Sequence, residues 1–199
     1  MTKAKLVLSA AMFAAGALSM ADRAVVVGIN DFAFIPNARL AGCENDANTM
    51  KSMLLKRGFR ESEIAMLLSR AATKEAILSA LDRAVEQVKR GERLVITYSS
   101  HGSQAGNGVS TLLTTSSTGR NFSGDITPQE IRSYINKAIA KNVAVTLIID
   151  ACHSEGVLTK SVNPVDPVAK KRFYPREVVT GEASRSASFV GDKLGEVVT

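Results

Sequence analysis

Four short apolar runs recur along the chain, and each of them stops abruptly at small or polar residues. They cover Arg23–Asn30, Ile64–Leu68, Arg93–Ser99 and Val143–Asp150. Unbroken apolar runs of this length are typical of strands that are buried on both faces of a parallel sheet. The pattern therefore predicts four buried strands.

Three segments between these runs carry apolar residues at helical spacing. The first, Gly42–Arg57, is followed by Gly58, a residue type that commonly ends a helix. The second begins after the capping residue Thr73, and the third begins at Thr127-Pro128-Gln129-Glu130, which combines a capping box with proline at the first helical position. The apolar faces of the second and third helices are predicted to contain Ile77, Leu78, Leu81, Ala84, Val85, Val88, Ile131, Tyr134, Ile135 and Ile139.

The alternation of strands and helices predicts an α/β fold with a mainly parallel sheet and helices on both faces. Ligands of such sheets bind beyond the carboxyl ends of the strands. Asn30-Asp31, His101 and Cys152 all follow predicted strand ends, so we expect them at one rim of the sheet. The segment Gly102–Asp125 is polar and rich in Gly, Ser and Thr, which predicts a long functional or mobile loop.

The first 21 residues are predicted to be a signal peptide rather than part of the domain. Lys3 and Lys5 give a positive start, residues 6–20 carry no charge, and Ser19-Met20-Ala21 fits a signal-peptidase site. The alternatives are a buried N-terminal helix or a retained anchor. The expected protein is therefore exported, periplasmic or secreted, with no membrane contact after cleavage.

Residues 22–160 are predicted to form one catalytic domain, and residues 161–199 a tail or an abbreviated further subunit region. Beyond Cys152 the apolar pattern fades, and Glu177–Thr180 is a weak strand candidate. Cleavage after Ala21 would remove two lysines and no acid, so the formal charge would fall from +6 to +4. The basic residues are scattered, which argues against a nucleic-acid partner.

A histidine and a cysteine stand just past the third and fourth strands. His101 and Cys152 are the minimum set for thiol catalysis, because the cysteine needs a nearby base to become a thiolate. Their separation of 51 positions is near the His-to-Cys separation of caspases. The alternatives are a structural histidine, an inert thiol, or a disulfide between Cys152 and Cys43.

Four sequence blocks resemble the caspase-like cysteine peptidases, and most of all the metacaspases and their bacterial relatives. The blocks are Val26–Asn30, Leu40–Ala47, Tyr98–Gln104 and Asp150–Ser154, within a resemblance that runs from about residue 23 to residue 159. It implies a caspase-like three-layer sandwich. It also implies that His101 is the catalytic histidine, that Cys152 is the nucleophile, and that the backbone N–H groups of Gly102 and Cys152 form the oxyanion hole.

The resemblance further implies cleavage after Arg or Lys. The positions that match the acidic specificity pocket are Asp46 and Asp150, with Cys43 and Ser99 in the same wall. A carboxylate on a partly desolvated pocket floor would pair with a guanidinium group and disfavour an acidic side chain. The alternatives are that Asp150 caps the turn after its strand, that Asp46 only favours a helix N-terminus, and that Cys43 belongs to the core.

Three features depart from the metacaspase pattern. Ser100 stands where the family usually has glycine, and the segment after Gly102 contains no acid before Asp125. Calcium prefers several carboxylates among six to eight oxygens, so we predict neither a calcium site nor any other cofactor. The region after Cys152 is short, which leaves open whether the cleft is complete and what the oligomeric state is.

The sequence therefore predicts a cysteine endopeptidase that acts on proteins or peptides with basic residues at the cleavage site. Two alternatives remain. One is a non-catalytic, caspase-like binding or regulatory module, and the other is a transpeptidase on the same scaffold, because hydrolysis and aminolysis share the acyl-enzyme.

Overall fold

The computed structural model describes residues 21–104 and 109–151. Within these residues the chain forms six strands and three α-helices. In chain order they are β1 (Arg23–Gly28), α1 (Cys43–Lys56), β2 (Ile64–Leu68), α2 (Lys74–Gln87), β3 (Arg93–Ser99), β4 (Gly102–Gln104), β5 (Ser110–Leu112), α3 (Pro128–Ala140) and β6 (Ala144–Asp150).

The four predicted strands form one parallel sheet in the order β2-β1-β3-β6. From β1 the chain first moves outward to β2 and then returns past β1 to β3. The strand order therefore changes direction between β1 and β3, and ligands of such sheets bind beyond the carboxyl ends of the strands at this point. The α/β fold class and the mainly parallel sheet are confirmed, and the predicted strand ends lie within two residues of the observed ones.

The helices cover the two faces of the sheet, as alternation along β1 illustrates. Val25 and Val27 belong to the larger apolar core, which includes the buried faces of α2 and α3. Ala24 and Val26 point to the opposite face and belong to a smaller core that contains Ala47 of α1. The sandwich therefore has α1 on one side and α2 with α3 on the other.

The predicted helix starts are confirmed by their capping contacts. The Thr73 side chain accepts a hydrogen bond from the Ala76 amide at the start of α2. Thr127 and Glu130 form both bonds of the capping box at the start of α3. The Lys74 ammonium lies 2.9 Å from a carboxylate oxygen of Glu130, so an ion pair joins these two helix starts.

The prediction of a long loop over residues 102–125 is wrong for residues 102–104 and 110–112, which form strands, whereas most of residues 113–125 are turns and irregular chain. β4 and β5 form an antiparallel hairpin, and the chain after it folds back into buried turns. Thr111 and Ser117 donate hydrogen bonds of 2.6 and 2.7 Å to the two carboxylate oxygens of Asp125, which is fully buried. The hydroxyl groups that predicted a loop thus donate hydrogen bonds to a buried acid and accept them from nearby backbone amides.

Several predictions concern residues 1–20 and 152–199, which lie outside the described part of the chain. These are the signal peptide except for Ala21, the nucleophile Cys152, its possible disulfide with Cys43, the tail and the strand candidate Glu177–Thr180. Among the described helices, none is long and apolar enough to cross a bilayer.

Candidate active site

His101 follows the carboxyl end of β3 and is held by the segment that connects β1 to α1. It is 5 % exposed, and its Nε2 lies 2.8 Å from the carbonyl oxygen of Ala38. A carbonyl oxygen only accepts hydrogen bonds, so Nε2 carries the hydrogen and Nδ1 is the basic nitrogen of the neutral ring. The ring of Phe32 packs against the imidazole with a centroid distance of 5.3 Å. The ring is therefore fixed in both orientation and tautomer.

The unusual Ser100 lies beside this histidine but bonds to the loop backbone. It is fully buried, and its hydroxyl donates a 3.0 Å hydrogen bond to the Leu113 carbonyl oxygen. Tyr98 donates a 2.8 Å bond to the same oxygen, and the Leu113 amide donates to the carbonyl of His101. The serine thus helps to attach the segment after β5 to the end of β3.

Burial keeps the Tyr98 phenol in its donating form. The side chain is buried, and this burial, with smaller effects from Asp125 and Cys43, raises its pKa well above the usual value. Deprotonation would place a negative charge in a region that already contains the buried Asp125. Tyr98 therefore remains a hydrogen-bond donor to Leu113 throughout the neutral range.

Asp46 and Asp150 lie at the rim of one cavity, on the side of the sheet covered by α1. Asp46 is in the first turn of α1, and Asp150 is the last residue of β6, directly opposite Ser99 in the register of β3 and β6. The Ser99 hydroxyl donates a 2.8 Å hydrogen bond to Oδ2 of Asp46. The cavity measures about 280 Å³ and is also lined by Met50, Met53, Thr97 and Ile148. It combines two exposed carboxylates with apolar walls.

A close contact between α1 and β1 positions Asp46. A side chain on Gly28 would place its Cβ 2.3 Å from the carbonyl oxygen of Cys43, so only glycine allows the helix to lie this near to the strand. The Asn30 side chain accepts a 3.0 Å hydrogen bond from the Cys43 amide. Ser69 donates to the carboxylate of Glu44 in the same turn. The first turn of α1 is thereby fixed on the carboxyl end of β1.

Cys43 lies beneath the cavity rather than at its surface. It is fully buried in the larger apolar core, one helical turn before Asp46, and it is not among the residues that line the cavity. Cys43 therefore does not line the cavity itself but packs in the core next to it. Ser99, by contrast, lies between the two carboxylates.

The structure describes the chain that leads to Cys152 as far as Ala151. The Ser100 amide donates a 3.3 Å bond to the Asp150 carbonyl, so the backbones that leave β3 and β6 stay joined beyond the sheet. Gly102 begins β4 and is buried. Cys152 itself lies outside the described residues, so its distance from His101 and the oxyanion role of Gly102 and Cys152 stay predictions.

Two contributors to this site were not found in the sequence. The Ala38 carbonyl orients the imidazole, and Phe32 packs against it. Phe32 carried a weak signal, since it is an apolar residue just beyond a strand end. The Ala38 carbonyl carried no sequence signal, because every residue has a backbone carbonyl group.

Comparisons with known proteins agree on one family. The family described as metacaspase, peptidase C14 domain, matches residues 22–161. Metacaspase-2 of Arabidopsis thaliana is 37 % identical over 153 residues, which is 68 % of this chain and 35 % of that protein. Metacaspase-1 of Eremothecium gossypii is 32 % identical over 150 residues, which is 68 % of this chain and 32 % of that protein. The chain thus spans about a third of the length of these relatives.

One solved structure supports the same fold. The crystal structure of a protein from Geobacter sulfurreducens is 25 % identical in sequence and superposes with a TM-score of 0.55. The superposition covers 67 % of this chain and 51 % of that one.

Proposed function

The chain belongs to the metacaspase family of C14 peptidases, and we propose that it is a cysteine endopeptidase that cuts after Arg or Lys. The observation that carries the specificity is the cavity in which Asp46 and Asp150 flank Ser99, two residues before His101. The catalytic proposal rests on the tautomer of His101, which is set by the Ala38 carbonyl.

The proposed reaction begins with proton transfer from the Cys152 thiol to Nδ1 of His101. The thiolate attacks the scissile carbonyl carbon, and the backbone N–H groups of Gly102 and Cys152 receive the charge that develops on the oxygen. When the C–N bond breaks, Nδ1 returns the proton to the leaving amine. Water then hydrolyses the thioester with His101 as base, which regenerates the thiol and releases the acid product. This sequence uses neither a metal nor an organic cofactor.

Charge and shape both support a basic side chain in the cavity. A guanidinium or ammonium group would form charge-assisted hydrogen bonds with Asp46 and Asp150, and the methylene groups would lie against Met50 and Ile148. The bond from Ser99 fixes one carboxylate before the substrate arrives, which lowers the entropic cost of binding. An acidic side chain would instead face two negative charges.

The decisive experiment compares peptidyl-coumarin substrates that end in Arg, Lys or Asp. We expect release after Arg and Lys only, and none from Cys152→Ala. Asp46→Asn and Asp150→Asn should each lower kcat/KM for the Arg substrate about tenfold to a hundredfold, as for the loss of a hydrogen bond between charged groups. Glu86→Gln, which removes one exposed negative charge from α2, is the matched control and should change nothing. Cleavage after Asp, or full activity of Cys152→Ala, would refute the proposal.

Export is a separate proposal, supported by the composition of residues 1–21. Sequencing the N-terminus of the protein recovered outside the cytoplasm should show Asp22 as the first residue. A mature chain that still begins at Met1 would refute it.

A further inference from the structure

A second cavity lies on the other side of the residues that hold His101. It measures about 800 Å³, and Phe32, Phe34, Arg39 and Arg70 are among its lining residues. Phe32 contacts the imidazole, and Arg39 directly follows the residue whose carbonyl binds Nε2. The histidine and this cavity therefore share a wall.

The two cavities have no lining residue in common. The acidic cavity is lined by α1, whereas the second cavity is lined by Thr73, the N-cap of α2, and by Thr115 and Ser116. The carboxyl end of β3, which leads into His101, lies between α1 and α2. A substrate that extends from the first cavity past His101 would then meet the residues that line the second.

The charge of the second cavity is opposite to that of the first. Arg70 is exposed and forms no ion pair or hydrogen bond with the described residues. Arg39 forms a 3.1 Å ion pair with Asp31, and these side chains are 77 % and 50 % exposed. Among the described residues that line this cavity, Arg70 is therefore a cation without an ion pair. Phe34, which is 67 % exposed, adds an apolar surface beside it.

The chemistry of the leaving group decides which part of a substrate reaches this cavity. The imidazole must give its proton to the leaving amine, so the residues that follow the scissile bond lie on the histidine side. The basic residue before that bond lies in the acidic cavity. The residues after the bond are then directed toward Arg70.

We propose that the second cavity binds the first residues after the scissile bond and favours an acidic side chain there through Arg70. This inference rests on the proposed peptidase function and adds a substrate preference to it. Because Arg70 is exposed, its effect should be modest, about two- to fivefold in rate, and should weaken as salt is raised.

The test uses internally quenched peptides that contain a single Arg, followed by Asp, Asn or Lys at the first, second or third position after it. The measured quantity is the ratio of kcat/KM for the Asp and Asn peptides, which cancels differences in the active fraction of each variant. At one position the full chain should prefer Asp by about two- to fivefold. The ratio should fall to about one in Arg70→Gln and below one in Arg70→Glu.

Arg90→Gln is the matched control. It removes the same charge from an exposed residue between α2 and β3, at the opposite edge of the sheet, and should keep the wild-type ratio. No preference for Asp at any position, or a preference that survives in Arg70→Gln, would overturn this inference. If the Arg-coumarin substrate, which has no residue after the scissile bond except the dye, is also left uncut, the peptidase proposal fails as well.

Discussion

The Leu113 carbonyl oxygen, which accepts two hydrogen bonds beside His101, allows a quantitative test of how buried hydrogen bonds stabilise this fold. Tyr98 and Ser100 donate hydrogen bonds of 2.8 and 3.0 Å to one carbonyl oxygen, that of the fully buried Leu113. Tyr98→Phe or Ser100→Ala removes one donor and leaves the other in place. Each single change should therefore lower the free energy of unfolding by only about 0.5–1.5 kcal/mol, the net value of one hydrogen bond.

The double variant should cost more than the sum of the two single changes. With both hydroxyls removed, the Leu113 carbonyl has no remaining donor among the hydrogen bonds described above. An unsatisfied buried polar group costs about 1–3 kcal/mol in addition to the lost bonds. The expected coupling energy is therefore about 1–2 kcal/mol, well above the error of roughly 0.3–0.5 kcal/mol for independent sites.

The assay is urea unfolding of the full chain and its three variants, followed by circular dichroism at one protein concentration. Equal slopes against urea would show that only stability has changed. Free energies that simply add would refute the reasoning, because they would mean that water or another donor reaches the carbonyl. Single variants that each cost as much as the double would show that both donors are required together.

Three further predictions concern the contact between Gly28 and α1, the ion pair of Glu130, and calcium. Gly28→Ala should destabilise the fold by about 1–3 kcal/mol in the same urea assay and reduce cleavage after Arg, because the new Cβ would lie 2.3 Å from a backbone oxygen of α1. Burial raises the pKa of Glu130, but hydrogen bonds from Lys74 and Thr127 outweigh it, so the net pKa is lowered. The stabilisation by the Glu130 carboxylate should be complete above its pKa in the unfolded chain, about 4.3, and should be lost as the pH falls through its lower pKa in the folded protein. Glu130→Gln should therefore be less stable than the wild type by about 0.5–1 kcal/mol at pH 7, and this difference should vanish in acid. Cleavage after Arg should proceed at the same rate in chelator and in millimolar calcium. A loss of activity that only calcium restores would show that the protein has calcium ligands that its sequence does not indicate.

The sheet and its helices were predictable because their signals are local. An apolar run such as 93–99 or a capping box such as 127–130 contains its own structural information, and both are found where the pattern placed them. The hairpin and buried turns between β3 and α3 were not predictable in the same way. Thr111 and Asp125 satisfy each other only after folding brings them together, and a segment rich in hydroxyl groups otherwise indicates a loop.

The candidate site likewise contains residues that the sequence predicts and others that it does not. Asp46, Ser99 and Asp150 converge because strand ends and a helix start meet at one edge, which the order of elements already implies. The Ala38 carbonyl could not be anticipated, since its place depends on the path of the connection between β1 and α1. Cys43 was expected to be pocket lining or core rather than a catalytic residue, and it is buried in the core.

The strand order has a consequence for the time at which activity can arise. None of the four described strands of the sheet pairs with a neighbour that is close in sequence: Arg23 lies opposite Leu94, and Arg93 lies opposite Ala144. Parallel pairings between distant segments form slowly, because a long stretch of chain must be ordered before they are made. The acidic cavity includes Asp150, the last residue of β6, and the proposed nucleophile lies two positions further. A nascent chain that has not yet docked β6 lacks Asp150 at this cavity, so the proposed specificity for basic residues can arise only after β6 has docked.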